Sequence, residues 1–273
     1  VDFINRSVND LLQKHFDGTT LSDEGVHVLD PFTGTGTFIT RLLQTGLINP
    51  TDLARKYASE LHANEIMLLA YYIAAINIET TYNTLTSTDS YQPFEGIVLT
   101  DTFQLAEDGD PMDAVFFPSN NARADHQKGL DIRVIVGNPP YSVGQSSQND
   151  DNKNLGYPPL DKSIEGTYVR RSDRVNLRAM YDSYIRAIRW ASNRITSSPD
   201  GGIIGIVSNG GWIDGNTADG IRLTLPNEFH HIYIYNLRGN TRTSGEQARK
   251  EGGQTFGQGS RNTIAITLLV KQP

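Results

Sequence analysis

Val28-Leu29-Asp30-Pro31-Phe32-Thr33-Gly34-Thr35-Gly36-Thr37-Phe38 decides the fold. A short apolar run ends in an acid and a proline follows. Two glycines one residue apart then open a helical pattern. That is the form of strand, tight turn and helix, the first unit of an α/β sheet. Glycine at 34 and 36 permits backbone conformations closed to other residues and lets a ligand approach the main chain. The stretch is not the dinucleotide fingerprint, whose third glycine would fall at Ile39, and it is not a Walker A loop, because no Gly-Lys-Ser/Thr follows. Alone, the turn also fits a plain strand–helix connection with no ligand.

Outward from this unit, short apolar and β-branched runs predict strands at 26–30, 57–61, 96–100, 133–137, 202–208, 231–236 and 263–270. Strands buried on both faces read this way. Helical patterns separate them. Phe3, Ile4, Val8, Leu11 and Leu12 mark one apolar face, residues 64–78 are apolar nearly all round and predict a deeply packed helix, and residues 177–195 keep a 3.6-residue period. Alternation of strands and helices predicts a mainly parallel sheet with helices on both faces. The last two strands are joined by a Gly-rich stretch and are expected to pair antiparallel at the sheet edge.

The 273 residues include no cysteine, which excludes a disulfide framework, a thiol nucleophile and Cys-containing metal sites. No metal site is expected. The longest apolar stretch, 66–78, is too short to span a bilayer, and no membrane partner is expected. The chain opens on Val1 directly in a helical pattern, as expected of a piece of a longer protein. Net charge is −7, but the halves differ: residues 1–130 hold 18 acids and 7 bases, residues 131–273 hold 13 acids and 17 bases. Arg170, Arg171, Arg174, Arg178, Arg186, Arg189 and Arg194 lie within 25 residues, and Arg238, Arg242, Arg249, Lys250 and Arg261 form a second cluster. A basic half suits a polyanion, although such charges are more often solvated faces. Residues 142–166 and 241–261 are polar, follow strands directly and are expected as long loops at the ligand-binding edge of the sheet.

Three further motifs carry chemistry. Glu60, 24 residues after Gly36, is placed by the predicted second strand where a carboxylate can accept ribose hydroxyls. Glu65 is the rival and is read as opening the next helix. Thr100-Asp101-Thr102-Phe103 follows the third strand, where Asp101 can accept an adenine amine and Phe103 can cover the ring; a helix cap is the alternative. Asn138-Pro139-Pro140-Tyr141 follows a buried strand. Its prolines lack N–H groups, so the turn offers acceptors and an aromatic ring to a substrate that donates from an –NH2 group.

At these residues the chain resembles the amino-methyltransferases that use S-adenosylmethionine. More closely, it resembles the methyltransferase domain of single-polypeptide translocating restriction–modification enzymes, the type ISP class. The stretches that carry the resemblance are 30–43, 60–79, 94–104, 138–145, 181–195, 205–212 and 256–271. It implies a class I S-adenosylmethionine-dependent methyltransferase fold, Rossmann-like, with residues 1–273 as one catalytic domain. The implied activity is N6-adenine methylation of double-stranded DNA with the base flipped out. It implies that Asp30, Pro31, Phe32, Thr33, Gly34, Gly36 and Phe38 hold the methionine end of the cofactor, Glu60 the ribose, and Asp101, Thr102 and Phe103 the adenine. Asn138, Pro139, Pro140 and Tyr141 would hold the base to be methylated, and Phe256 is the candidate for a second stacking ring. A helicase–nuclease portion and a target-recognition domain are implied as partners, and a bacterial cytoplasm as the location. The Thr-Pro pair that usually precedes Val1-Asp2-Phe3 in that family is missing. The same Asn-Pro-Pro-Tyr turn also serves enzymes that methylate a glutamine amide or ribosomal RNA. A cofactor-binding regulatory module without activity, and a nicotinamide dehydrogenase, are the remaining alternatives.

Overall fold

In the computed structural model one sheet has the strand order β3-β2-β1-β4-β5-β7-β6. The structure describes residues 1–87, 90–106, 117–140, 156–174, 178–238 and 263–273. Strands β1 (His27–Asp30), β2 (Leu61–Glu65), β3 (Ile97–Leu99), β4 (Ile132–Gly137) and β5 (Gly202–Asn209) pair in parallel. Strand β7 (Ile264–Lys271) lies antiparallel between β5 and β6 (His231–Arg238), so the antiparallel pairing is as expected, while the edge strand is β6. This is the expected seven-stranded, mainly parallel α/β sheet with helices on both faces. Its order departs from the 3-2-1-4-5-6 arrangement of dinucleotide-binding dehydrogenases.

Among the described residues, seven main helices cover the sheet: α1 (Asp2–His15), α2 (Thr37–Gln44), α3 (Leu68–Thr86), α4 (Pro118–Gly129), α5 (Pro158–Ile164), α6 (Ser183–Thr196) and α7 (Asp219–Glu228). Side chains alternate along the strands and feed two cores. Val28, Val134, Val136 and Ile203 pack with Ile4, Val8, Phe38 and Ile39 from α1 and α2. Leu29, Ile135, Ile204 and Ile206 pack with Leu160, Ile164, Ile185, Ile188 and Ile221 from α5, α6 and α7. No helix among the described residues is long and apolar enough to cross a membrane.

Four expectations are corrected. Residues 57–61 are not a strand: residues 56–60 form a π-helical turn and the strand is Leu61–Glu65. The turn is favoured because Lys56 and Glu60 pair one turn apart and Tyr57 stacks on Tyr82 with ring centroids 3.7 Å apart. Residues 64–78 are not a deeply packed helix. Asn64 and Glu65 end β2, and α3 buries only Ala74, Ile78 and Tyr82, leaving Leu69, Tyr72 and Ile76 exposed. Uniform hydropathy shows no facing, and a one-sided contact buries only the residues that recur every turn. The stretch 142–166 is not all loop, since Tyr157, Leu160 and Ile164 recur at helical spacing and are buried. Phe3 lies outside the α1 core face, against the Tyr235 ring at 5.5 Å.

The arginine cluster also divides. Arg189 is buried on Glu228 at 2.8 Å, Arg186 holds Asp161, and Arg194 donates to the carbonyls of Gln127, Lys128 and Leu130. Arg170, Arg171 and Arg174 are exposed. The first three are structural; of the second three, Arg171 donates to the Leu223 carbonyl at 2.8 Å and Arg174 stands 3.9 Å from Asp219, and all three lie at the surface.

Candidate functional site

The carboxyl ends of β1, β2, β3 and β4 share one edge, because all four run parallel. β1 ends in Asp30, whose side chain is fully buried. Its Oδ1 accepts the Phe32 N–H at 3.2 Å, and its Oδ2 is buried without a partner among the described residues. Burial, with a smaller push from Glu65, raises the Asp30 carboxyl to about 7. A carboxylate so placed favours a cation brought to it.

The turn after β1 is set by its own sequence. Gly34 and Gly36 have φ of +57° and +85°, in the left-handed region. A Cβ at Gly36 would stand 3.2 Å from the Ala74 carbonyl oxygen, so glycine there also lets α2 approach α3. Thr33 is buried, with its Oγ1 on the Asp30 carbonyl at 2.8 Å and its N–H on the Asn64 carbonyl at 3.0 Å. Phe38 is buried in the core beneath the start of α2, so it anchors the turn and does not line it.

Glu65, at the end of β2, accepts the Gly34 N–H at 2.8 Å and the Met67 N–H at 2.8 Å, one on each carboxylate oxygen. A second lone pair on each oxygen remains available to a pair of hydroxyls. Glu60 is the corrected assignment. It precedes β2 and lies at the opposite edge of the sheet, about 16 Å along the strand from Glu65 at ~3.3 Å per residue. There it accepts the Gly25 N–H at 2.7 Å and pairs with Lys56 at 2.9 Å and with Arg55. Burial opposes ionisation, but the Gly25 N–H, Lys56 and Arg55 outweigh it and hold the Glu60 carboxyl below its ordinary value. Lys56 itself is buried, with its ammonium on the carbonyls of Asp23 and Val26. Glu60 is therefore a structural anion. Glu60→Gln is expected to cost about 3 kcal/mol of stability, the scale of a broken buried ion pair, with ligand affinity at the other edge unchanged. Glu65→Gln should weaken ligand binding about tenfold and also cost about 1–3 kcal/mol of stability, because its amide can accept only one of the Gly34 and Met67 N–H groups. Thermal melts and calorimetric titrations of both variants check this.

After β3, Asp101 Oδ1 accepts the Phe103 N–H at 3.0 Å, and Asp101 Oδ2 accepts the Tyr157 hydroxyl at 2.9 Å. Thr102 is buried and donates to the Pro31 carbonyl at 2.6 Å, which ties this turn to the one after β1. The Phe32 and Phe103 rings lie 5.5 Å apart, and Phe103 is 5.2 Å from Tyr157. A flat ring carrying an amine fits such a wall, with Asp101 for the amine and the rings for its apolar body.

β4 ends in Gly137, where a Cβ would stand 3.0 Å from Asp30 Oδ1. That close approach sets Asn138 beside the β1 turn. Asn138 and Pro140 are exposed and Pro139 is buried. Tyr141 and Phe256 lie outside the described residues, as do residues 142–155 and 241–261 of the expected loops. The edge thus brings together Asp30, Gly34, Gly36, Glu65, Asp101, Phe103, Asn138 and Pro139, with three acids among them. Sequence reasoning missed Tyr157. Its only signal was the helical spacing with Leu160 and Ile164.

No protein-family model and no curated protein sequence matches the chain. Solved structures do. A nuclease-deletion mutant of the Type ISP restriction-modification enzyme LlaGI, in complex with a DNA substrate mimic, is 53% identical over 99% of this chain and 22% of its own, with a TM-score of 0.91. The ATP-dependent Type ISP restriction-modification enzyme LlaBIII bound to DNA is 45% identical over 99% of this chain and 18% of its own, also at 0.91. A DrdV–DNA complex is 41% identical over 98% of this chain and 25% of its own, at 0.89. The chain spans between about a fifth and a quarter of the length of these proteins. With near-complete coverage of its own residues at this identity, the chain belongs to the Type ISP restriction–modification enzyme family, as the counterpart of that portion of it.

Proposed function

We propose that this chain transfers a methyl group from S-adenosylmethionine to the N6 amine of a flipped adenine in DNA, as the modification portion of a restriction–modification enzyme. The observation that carries this reading is the meeting, on one sheet edge, of a cation site, a diol site, an amine-and-ring site and an acceptor pair. The residues fit the cofactor. Asp30, with its buried unpartnered oxygen, would hold the methionine amine, and the Gly34–Gly36 turn would let its backbone come close. Glu65 would take the ribose hydroxyls. Asp101 would take the adenine amine, with Phe32 and Phe103 against the ring. Bound there, the cofactor supplies an electrophilic sulfonium methyl.

The chain's own residues then do the following. The Asn138 side-chain oxygen and the Pro139 carbonyl accept the two N–H bonds of the target amine. That draws its lone pair out of the ring and aims it across the edge. Pro139 and Pro140 keep the turn rigid, so the acceptors need no rearrangement as charge develops. No side chain acts as a nucleophile. The base must leave the duplex to reach this edge, and Tyr141 and Phe256 are proposed as the rings that receive it. The DNA-bound state of LlaGI and LlaBIII supports DNA as the partner, and exposed Arg170, Arg171 and Arg174 suit its phosphates. The helicase–nuclease and target-recognition functions are proposed to reside in the parts of such enzymes that this chain does not match.

Nucleoside analysis of DNA incubated with the protein and methyl-labelled S-adenosylmethionine tests the reading. N6-methyladenine is the expected product. Label in RNA or in protein glutamine, with none in DNA, would overturn the substrate, and N4-methylcytosine would overturn the base.

A further inference from the structure

A chain of contacts runs from α6 to the amine-and-ring site, and the proposed cofactor role does not yet use it. Arg186 on α6 grips Asp161 with two parallel hydrogen bonds, Nε and one terminal nitrogen each at 2.9 Å. Asp161, in the first turn of α5, accepts the Tyr157 N–H at 3.1 Å and donates its own N–H to the Tyr157 carbonyl at 2.7 Å. The Arg186 guanidinium also lies over the Tyr157 ring, 5.1 Å from its centroid. Tyr157 is buried, and its hydroxyl reaches Asp101 across 56 residues of sequence. Together with the Phe103 N–H, it leaves neither oxygen of Asp101 free to swing.

We propose that Tyr157 is a positioning residue for the cofactor adenine, fixing the Asp101 carboxylate so that its remaining lone pairs meet the 6-amino group, with the Arg186–Asp161 pair holding Tyr157 in turn. This rests on the reading of the edge as an S-adenosylmethionine site. A carboxylate oxygen has two acceptor directions, so the hydroxyl orients Asp101 without blocking it. Bidentate arginine–carboxylate pairing resists rotation, which makes α5 a rigid mount. Burial, and then Asp101, raise the Tyr157 hydroxyl above its ordinary value, so it remains a donor at neutral pH. Preorganised acceptors bind without reordering their own side chains.

The test compares S-adenosylhomocysteine with its analogue carrying hydrogen in place of the 6-amino group. Calorimetric titration of the wild type should show about tenfold preference for the amine. Tyr157→Phe keeps the buried ring and removes only the hydroxyl. It should bind S-adenosylhomocysteine about fivefold more weakly and bind the deamino analogue as before. Asp161→Asn, which loosens the mount without touching Asp101, should reduce the preference by less. Equal weakening of both analogues in Tyr157→Phe, or an unchanged preference in both variants, would overturn the positioning role. Wild-type protein that binds neither analogue would instead overturn the cofactor reading beneath it.

Discussion

Asn138→Ala is expected to lower methyl transfer about a thousandfold or more while leaving S-adenosylmethionine affinity within about twofold, the pattern of a group that acts on the transition state. Removing the side-chain oxygen leaves the Pro139 carbonyl as one acceptor for two N–H bonds. The amine then keeps its lone pair in the ring and loses its alignment. Loss of about 4 kcal/mol of transition-state stabilisation corresponds to about three orders of magnitude in rate. The fold should tolerate the change: Asn138 is exposed at a strand end, where substitutions stay within about 0.5 kcal/mol. Single-turnover assays with saturating cofactor measure the loss directly. Collapse of cofactor affinity in this variant would assign Asn138 to the cofactor.

Asp30→Asn should separate stability from function. Burial raises the carboxyl from its ordinary value of 3.8 to about 7 in the folded chain. Between these values the unfolded chain is ionised and the folded chain holds its proton, so stability falls as pH rises through this window. The total fall is about 4 kcal/mol at ~1.4 kcal/mol per unit. An asparagine has no proton to lose and can keep the Phe32 N–H on its amide oxygen. The variant should therefore melt higher than wild type above about pH 7 and show no such gain near pH 4. Cofactor binding should move the other way. A cationic methionine end pairs with ionised Asp30, so wild-type affinity should rise between about pH 6 and pH 8, whereas the variant should bind about a hundredfold more weakly with a flat profile. Melts and titrations across that range check both halves. A site that lowers the stability of the chain that carries it is a common mark of function.

Local chemistry made parts of this site readable in the sequence. The glycines at 34 and 36 announce left-handed backbone wherever they stand, and two prolines after a β-branched run end a strand without help from elsewhere. Strand β2 was not readable. His62, Asn64 and Glu65 are polar, yet all five residues of the strand are buried. His62 finds His27 on the neighbouring strand at 3.0 Å, and Glu65 finds the N–H groups of Gly34 and Met67. Those partners exist only once the sheet has formed, so hydropathy placed the strand four residues early and chose Glu60 over Glu65. The arginines between 170 and 194 failed for the same reason, because their charges read alike until Asp161 and Glu228 arrive from distant segments. Tyr157 reaches Asp101 through a contact no local pattern encodes.

The most direct test of the division of labour along this sheet edge is calorimetric titration with S-adenosylmethionine of the wild type, Asp101→Ala and Asn138→Ala side by side. The wild type and Asn138→Ala should bind alike, and Asp101→Ala about tenfold or more weakly. No binding by the wild type, or equal losses in the two variants, would contradict the account.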